Sequence, residues 1–222
     1  MLGLENRFTG DLVEVITNPH GLYEGDLRHY ARVVFSAPNI HNGYHGLRHM
    51  LHVTWVCYKA CEYYARLGLL GPRRMRSLLI AALLHDYGHT GRPGNDANNI
   101  KIALDAMHLV LLPEDFEYFA RISNILCATQ YPHKHLGRAE LLEQSIIRDA
   151  DMSQAFGGAW IGEIVAGFGS ELGKTPLEML EQQLKFLQGV HFSSDFGKIF
   201  FGQDAVKAKV RETEALIEIL TV

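Results

Sequence analysis

The segment LLIAALLHDYGH, residues 78–89, holds both the predicted core and the predicted chemistry of this chain. The seven residues before His85 are all apolar and predict the centre of a buried helix over residues 73–86. Gly88 then begins a glycine-rich turn. Because ionisable groups are costly to bury without partners, His85 and Asp86 are predicted to be functional.

Helical patterns continue on both sides of this segment, and strand signals are nearly absent. Residues 49–67 are rich in apolar and aromatic side chains and predict a second, largely buried helix. The sequence therefore predicts an all-α fold. Six glycines within residues 157–173 leave that stretch unassigned. The other predicted helices are residues 97–111, one from Pro113 to Tyr131-Pro132, 139–148, one from the Thr175-Pro176-Leu177-Glu178 capping box to about Gly189, and 203–220.

Composition excludes several classes of protein. The 222 residues include 21 basic and 25 acidic ones, and this mildly acidic balance argues against binding a nucleic-acid polymer. The N-terminus lacks a signal-peptide pattern, and no apolar run is long enough to span a bilayer, so we expect a cytoplasmic protein without membrane contact. Cys57, Cys61 and Cys127 form neither an even set nor a CxxC pair, which fits neither a disulfide framework nor a zinc-thiolate site. Cys57 and Cys61 lie four residues apart in an apolar helical stretch, which predicts buried free thiols and favours a reducing compartment.

Histidine is the unusual residue, with 12 in the chain. If the segment around His45, His49 and His52 is helical, these three side chains share one face. Asp149 and Asp151 follow an apolar pair at an apparent helix end. These carboxylates either cap the next segment or supply a metal oxygen. Because imidazole nitrogen and carboxylate oxygen are common metal ligands, the pattern predicts a metal site.

The order and spacing of these groups resemble a known family. Tyr44-His45-(three residues)-His49 precedes His85-Asp86-Tyr87-Gly88-His89-Thr90-Gly91, and a late Asp follows. This order resembles the HD superfamily of metal-dependent phosphohydrolases and, more narrowly, its cyclic-nucleotide phosphodiesterase branch. The resemblance implies one compact multi-helix domain over residues 1–222. Its motif-bearing core would span about 41–155, with a C-terminal helical elaboration over about 156–222.

The resemblance also implies a role for each matching residue. Two divalent ions (Mg, Mn, Fe or Zn) are implied, with Asp86 bridging them and the second held mostly by water. His45 would be the general acid, and His89 would hold waters near the second ion. Asp151 is preferred to Asp149 because the family's ligand commonly follows an alanine, but both stay open. The implied ligands of the first ion are His49, His85, Asp86 and Asp151.

Substrate contacts are predicted at four positions. Gln183 and Phe186 have the Gln-(two)-Phe form with which the phosphodiesterase branch holds a purine. An ordinary amphipathic helix explains the same stretch equally well. Arg48 suits a phosphate, and Asn99 belongs to an Asn-Asn pair that also resembles that branch.

The predicted function is hydrolysis of a small phosphoester, such as a nucleotide or cyclic nucleotide. A metal-activated water would attack, and a histidine would protonate the leaving group. One alternative is a di-iron oxygenase, in which His133 or His135 would be a further ligand. The other is a non-catalytic domain that binds a nucleotide or partner. The expected partner is the small substrate, and a homodimer stays open.

Overall fold

A computed structural model describes residues 8–92, 94, 96–131 and 141–221, with side chains from residue 12 onward. No strand occurs in these ranges, and the predicted all-α fold is confirmed. The α-helices are α1 (Phe8–Thr17), α2 (Arg28–Phe35), α3 (Leu47–Arg66), α4 (Pro72–Leu84), α5 (Asp96–Val110), α6 (Phe119–Cys127), α7 (Leu142–Met152), α8 (Gly169–Leu172), α9 (Pro176–Gly189), α10 (Asp195–Phe201) and α11 (Gln203–Thr221). The other helical segments are 3₁₀-helices at Pro113–Tyr118 and Ser153–Phe156 and a π-helix at Ile161–Phe168.

Helix α4 is the centre of the fold. It packs against α2, α3, α6 and α7, and its residues 78–84 are fully buried. Pro72 occupies the first helical position, where its fixed backbone angle favours initiation. The helix ends at Leu84, with His85 as its C-cap. The prediction of a central buried helix that delivers His85 and Asp86 to its end is therefore confirmed.

Helix α3 lies beside α4 and also packs against α7. It contributes Cys57 and Cys61 to the core, where both thiols are free and fully buried. Burial raises the pKa of both thiols, which keeps them in the protonated, unreactive form. Cys127 is free but partly exposed. The prediction of buried free thiols holds for the two cysteines of α3.

Several element boundaries differ from the prediction. Helix α3 begins at Leu47, so His45 lies in the turn before the helix rather than on one face with His49. The helix predicted from Pro113 begins as a 3₁₀-helix, and α6 ends at Cys127 rather than at Tyr131. Helices α1, α2 and α10 were not predicted, because elements of 7 to 10 residues carry little periodic signal.

The glycine-rich stretch 157–173 is helical over residues 160–172. Its π-helix runs directly into α8, which ends at Gly173 with a left-handed backbone (φ 64°). The predicted capping box at the start of α9 is present, since Thr175 and Glu178 hydrogen-bond to each other's backbone amides. A second apolar cluster joins these elements to α9: Trp160, Ile164, Val165, Met179 and Leu180.

Within the described ranges, no helix combines the length and the apolar character needed to cross a bilayer.

Candidate metal centre

Four predicted ligands from three helices converge at one point. His49 comes from the first turns of α3, His85 and Asp86 from the end of α4, and Asp151 from the last turn of α7. His49 Nε2 lies 2.9 Å from Asp151 Oδ1 and 3.5 Å from Asp86 Oδ2. His85 Nε2 lies 3.4 Å from Asp86 Oδ2 and 3.6 Å from Asp151 Oδ1. The fold therefore gathers two imidazole nitrogens and two carboxylate oxygens into one compact cluster.

Hydrogen bonds behind the two imidazoles fix their orientation. His49 Nδ1 lies 2.6 Å from Gln154 Oε1, and His85 Nδ1 lies 2.8 Å from the Ala82 carbonyl oxygen. Because both oxygens only accept, each Nδ1 carries a proton and donates it. In the neutral rings, both Nε2 lone pairs then point toward the carboxylates. Metal-binding histidines are oriented in this way.

Two polar atoms at the centre of the cluster have no hydrogen-bond partner among the described residues. They are His85 Nε2 and Asp86 Oδ2, and both are buried. A buried acceptor without a partner costs about 1–3 kcal/mol. A divalent cation bound by both atoms would remove that cost. The donor set, with its borderline nitrogens and hard oxygens, therefore fits Zn, Fe or Mn.

The electrostatics of the cluster favour a cation. Burial opposes charge on His85, but the Asp86 and Asp151 carboxylates outweigh it and raise the pKa of His85 well above its ordinary value. Burial likewise opposes charge on the two carboxylates, yet the imidazoles outweigh it and hold both pKa values below the ordinary range. The carboxylates thus stay ionised and attract positive charge, which a metal ion supplies on binding.

Asp149 lies outside this cluster. Its carboxylate accepts hydrogen bonds from the backbone N–H groups of Ser193 (2.8 Å) and Ser194 (2.7 Å) and from Ser194 Oγ (2.6 Å). It therefore fixes the start of α10. Residues two apart on a helix point in different directions. Of the two aspartates left open by the sequence, Asp151 is the one placed beside His49 and His85.

His45 forms a hydrogen-bonded pair with a carboxylate that sequence analysis did not identify. His45 Nδ1 lies 2.6 Å from Glu171 Oε2. Glu171 Oε1 accepts from the backbone N–H groups of Tyr44 (2.7 Å) and His45 (2.9 Å). Burial opposes charge on His45, but Glu171 outweighs it and raises the pKa of His45 above its ordinary value. Nε2 is the ring nitrogen left for proton transfer.

Glu171 gave no signal in the sequence. It lies within the unassigned glycine-rich stretch, 126 residues beyond His45, and near a helix end it resembles an ordinary surface residue. Only the tertiary fold brings α8 against the turn that carries His45.

His89 packs behind His45. Their rings stack with centroids 3.8 Å apart. His89 Nδ1 accepts from the backbone N–H of Gly91 (3.1 Å), and His89 Nε2 lies 2.8 Å from Asn99 Nδ2. Burial lowers the pKa of His89 to about 4, so its ring is neutral near pH 7. The protein groups nearest its two ring nitrogens are therefore the Gly91 backbone N–H and the Asn99 amide.

Asn99 differs from its predicted role in contacting substrate. Its amide is buried, and its Oδ1 accepts from the Thr90 backbone N–H (3.2 Å) and hydroxyl (3.1 Å). The side chain supports His89 from behind. A substrate would have to displace these bonds to reach it.

His45, His89 and Glu171 also lie close enough to be considered as a metal group. However, Glu171 already accepts three hydrogen bonds, and both nitrogens of His89 have partners. The His49, His85 and Asp151 group is different, since it surrounds the unpartnered atoms described above. The metal is better placed there, and the His45 group suits proton transfer.

Arg48, Gln183 and Phe186 are the remaining predicted residues that the structure describes. Arg48 is exposed and forms an ion pair with the buried Glu163 of the π-helix. Gln183 is buried on α9, and its Nε2 has no partner among the described residues. Phe186, one turn later, is partly buried. His133 and His135, the predicted further ligands of a di-iron site, lie outside the described residues.

Comparison with protein families gives a match to the HD domain over residues 46–155. This segment contains His49, His85, Asp86 and Asp151, whereas His45 and Glu171 lie outside it. Comparison with curated proteins gave no match.

Proposed function

We propose that this chain, which belongs to the HD-domain superfamily, is a metal-dependent phosphohydrolase that hydrolyses a small phosphoester. HD domains are generally metal-dependent phosphohydrolases. The proposal depends chiefly on one observation. Two oriented imidazole nitrogens and two carboxylate oxygens form one cluster, and two of these atoms, His85 Nε2 and Asp86 Oδ2, are buried without a hydrogen-bond partner among the described residues. A nucleotide or cyclic nucleotide is the proposed substrate, because the Tyr44 to Gly91 motifs resemble the cyclic-nucleotide phosphodiesterase branch.

The proposed ligands of the first ion are His49, His85, Asp86 and Asp151. A divalent ion held there supplies an activated water near neutral pH and neutralises charge on the phosphoryl group. Asp86 would also help to hold a second divalent ion, which would add positive charge beside the phosphoryl group. Gln154 and the Ala82 carbonyl hold the two imidazoles so that their Nε2 atoms face the centre.

His45 is the proposed general acid. Glu171 accepts its Nδ1–H, so the proton to be transferred resides on Nε2. The leaving alkoxide of a phosphoester is a strong base, and a positioned acid typically contributes about 10²–10⁴-fold to its departure. Glu171 raises the pKa of His45 and so keeps that proton available near neutral pH. His89, stacked behind the ring, limits its rotation.

Substrate contacts are proposed at the edge of the site. Arg48 is exposed, and its guanidinium is suited to two phosphate oxygens at once. Gln183 and Phe186 remain the proposed contacts to the base. The unpartnered Nε2 of Gln183 supports a polar group of the substrate there.

The test is a metal-dependent activity screen. The purified protein is stripped of metal, reloaded separately with Mn²⁺, Mg²⁺, Zn²⁺ or Fe²⁺, and assayed with aryl phosphoesters, nucleotides and cyclic nucleotides. We expect hydrolysis that requires a metal and is lost in His85→Ala. The matched control is His108→Ala on α5, an exposed histidine remote from the cluster in sequence.

Three outcomes would contradict the proposal. Unchanged hydrolysis in His85→Ala would place the site elsewhere. Tightly bound iron with oxygen-dependent turnover and no phosphatase activity would favour the di-iron oxygenase. Equal nucleotide binding with and without metal, and no turnover, would favour a non-catalytic binding domain.

A further inference from the structure

A direct backbone contact joins the turn before α3 to the π-helix. A Cβ atom on Gly43 would lie 2.5 Å from the Gly167 carbonyl oxygen. A Cβ atom on Gly167 would overlap the Gly43 carbonyl oxygen and lie 2.9 Å from its carbonyl carbon. These separations are far inside van der Waals contact, which begins at about 3.5 Å between carbon atoms. Only glycine at both positions permits the observed approach.

Neither side of this contact can yield by rotating a side chain, because the opposing atoms are backbone. The turn carrying Gly43 is held by other groups as well. Asn39 Nδ2 donates to the His45 carbonyl (2.6 Å), and Asn42 Nδ2 donates to the His89 carbonyl (2.9 Å). A methyl group at Gly167 would therefore push the π-helix away from this turn.

Each glycine of the contact lies close in sequence to one member of the His45–Glu171 pair. Gly43 precedes His45 by two residues, and Gly167 precedes Glu171 by four. Between them, the Phe168 ring contacts the rings of Tyr44 (5.0 Å between centroids) and His45 (5.3 Å). The backbone contact and the His45–Glu171 hydrogen bond thus join the same two segments.

We propose that the Gly43–Gly167 contact sets the distance between His45 and Glu171, which makes Gly167 a positioning residue for proton transfer. This inference rests on the proposed phosphohydrolase function. The atoms nearest a Cβ on Gly167 belong to Gly43 and Gly162 rather than to a proposed metal ligand, and Gly167 lies outside the HD-domain match. The metal ligands all lie inside that match. Proton transfer and metal binding are therefore separable by substitution.

The size of the effect follows from the geometry. Relieving the overlap requires a shift of roughly 1 Å, which stretches the 2.6 Å hydrogen bond beyond its normal range. A misplacement of about 1 Å at a reacting group can cost about 10²-fold in rate. We expect a loss of that order in kcat for substrates that need the acid.

The test compares Gly167→Ala with Gly162→Ala. Gly162 lies in the same π-helix, and a Cβ atom there would meet nothing within 4 Å. The two variants therefore differ in the clash but share the change in backbone freedom. Gly43→Ala introduces the same clash from the other side and serves as the second variant.

The first readout needs no activity. In proton NMR, a short imidazole-to-carboxylate hydrogen bond gives a strongly downfield Nδ1–H signal, which is assigned by its absence in His45→Asn. We expect this signal in the unmodified protein and in Gly162→Ala, and its loss in Gly167→Ala. Retention of the signal in Gly167→Ala would overturn the inference. If the unmodified protein hydrolyses no phosphoester, the proposed function fails while this readout still decides the positioning role.

The second readout is the dependence on the leaving group. An alkyl phosphoester needs protonation of its leaving oxygen, whereas 4-nitrophenolate leaves readily without it. In Gly167→Ala we expect kcat for the alkyl ester to fall about 10²-fold, with KM and Mn²⁺ affinity unchanged and a much smaller loss for the 4-nitrophenyl ester. Equal losses for both esters, or weakened Mn²⁺ binding, would contradict the inference. Unfolding of both Gly167→Ala and Gly43→Ala would also overturn it, since the contact would then support the fold as a whole.

Discussion

Helix α4 carries a buried charged cluster at each end, and the two clusters differ in how their central charged groups are hydrogen-bonded. At the start of the helix, Arg76 Nε and Nη2 donate to the two carboxylate oxygens of Asp115, both at 2.7 Å. Arg76 Nη1 donates to the Glu24 and Asp26 carbonyls. At the other end, His85 Nε2 and Asp86 Oδ2 are buried without a hydrogen-bond partner in the described part of the chain.

The difference separates a structural cluster from a ligand site. Asp115 also accepts from the Tyr30 hydroxyl (2.6 Å) and pairs with Arg73 (3.2 Å), so its charge is fully compensated within the protein. Such a cluster ties the segment before α2 and the one before α6 to α4. His85 Nε2 and Asp86 Oδ2 instead lie in one cluster with His49 and Asp151. Buried polar atoms are mostly satisfied in folded proteins, so two such atoms within one His–Asp cluster favour a ligand site over a packing role.

The largest expected effect is a loss of activity on substitution of Asp86, at the C-terminal end of α4. Asp86→Asn removes a proposed ligand charge, and we expect kcat/KM to fall about 10³-fold or more, because metal stabilisation of the transition state is worth several kcal/mol. Added Mn²⁺ should raise the melting temperature of the unmodified protein but not that of this variant.

The control for this prediction is Asp105→Asn on α5, an exposed carboxylate paired with Lys101. It should keep both activity and the Mn²⁺ shift. If Asp86→Asn bound Mn²⁺ as tightly as the unmodified protein, Asp86 would not be a ligand and the contrast between the two ends would fail.

The second prediction concerns the first end of α4. Asp115→Ala leaves Arg76 buried with an uncompensated charge. Breaking a buried pair in this way typically costs about 3–5 kcal/mol, and we expect a loss of about that size in the free energy of unfolding. Urea unfolding should show this loss, while kcat/KM per folded molecule and Mn²⁺ affinity stay unchanged. A loss below about 1 kcal/mol, the level of an exposed ion pair, would show that the cluster is not structural.

The two ends were not equally predictable from the sequence. His85 and Asp86 stand out because they follow an apolar run and precede glycines, and their order with His49 and Asp151 resembles a family. The basic start of the helix gave no comparable signal. Arg76 is separated from Asp115 by 39 residues, and a charged residue near a helix start is usually exposed. Only the tertiary packing brings Asp115 beside Arg76.

The same limit applies within the candidate site. Spacing along one helix could not distinguish Asp149 from Asp151, because the direction of each side chain depends on where α10 docks. Glu171 was missed for a similar reason, since a π-helix changes the phase of the residues that follow it. Local periodicity predicted the main helices, α3 and α4, within two residues at each end. It could not predict contacts made between distant segments.

The third prediction tests the orientation of one imidazole. Gln154 is buried and holds His49 Nδ1, so Gln154→Ala should lower Mn²⁺ affinity about 10–100-fold, as is typical for groups that orient a metal ligand. Calorimetric titration measures this change. Gln188→Ala, an exposed position on α9, is the matched control. Unchanged affinity in Gln154→Ala would mean that His49 needs no support to face the centre.

The fourth and smallest effect is the response of the structural cluster to acid. Burial opposes charge on Asp115, but hydrogen bonds from Arg76 and Tyr30, with the charges of Arg76 and Arg73, outweigh it and hold the pKa of Asp115 below its ordinary value. Glu143 behaves in the same way, since Arg74 outweighs its burial and lowers its pKa.

Because these pKa values are lower in the folded than in the unfolded chain, the stabilisation they contribute is complete above the unfolded pKa values of about 3.9 for Asp and 4.3 for Glu. It is lost as the pH falls through the lower folded values. The free energy of unfolding should therefore decline below about pH 4, and Asp115→Asn should decline less steeply because it lacks one of these groups. Urea unfolding in steps from pH 6 to pH 2.5 measures both slopes. Equal slopes would show that Asp115 has the same proton affinity folded and unfolded, and the start of α4 would then lose its distinction as a fully compensated cluster.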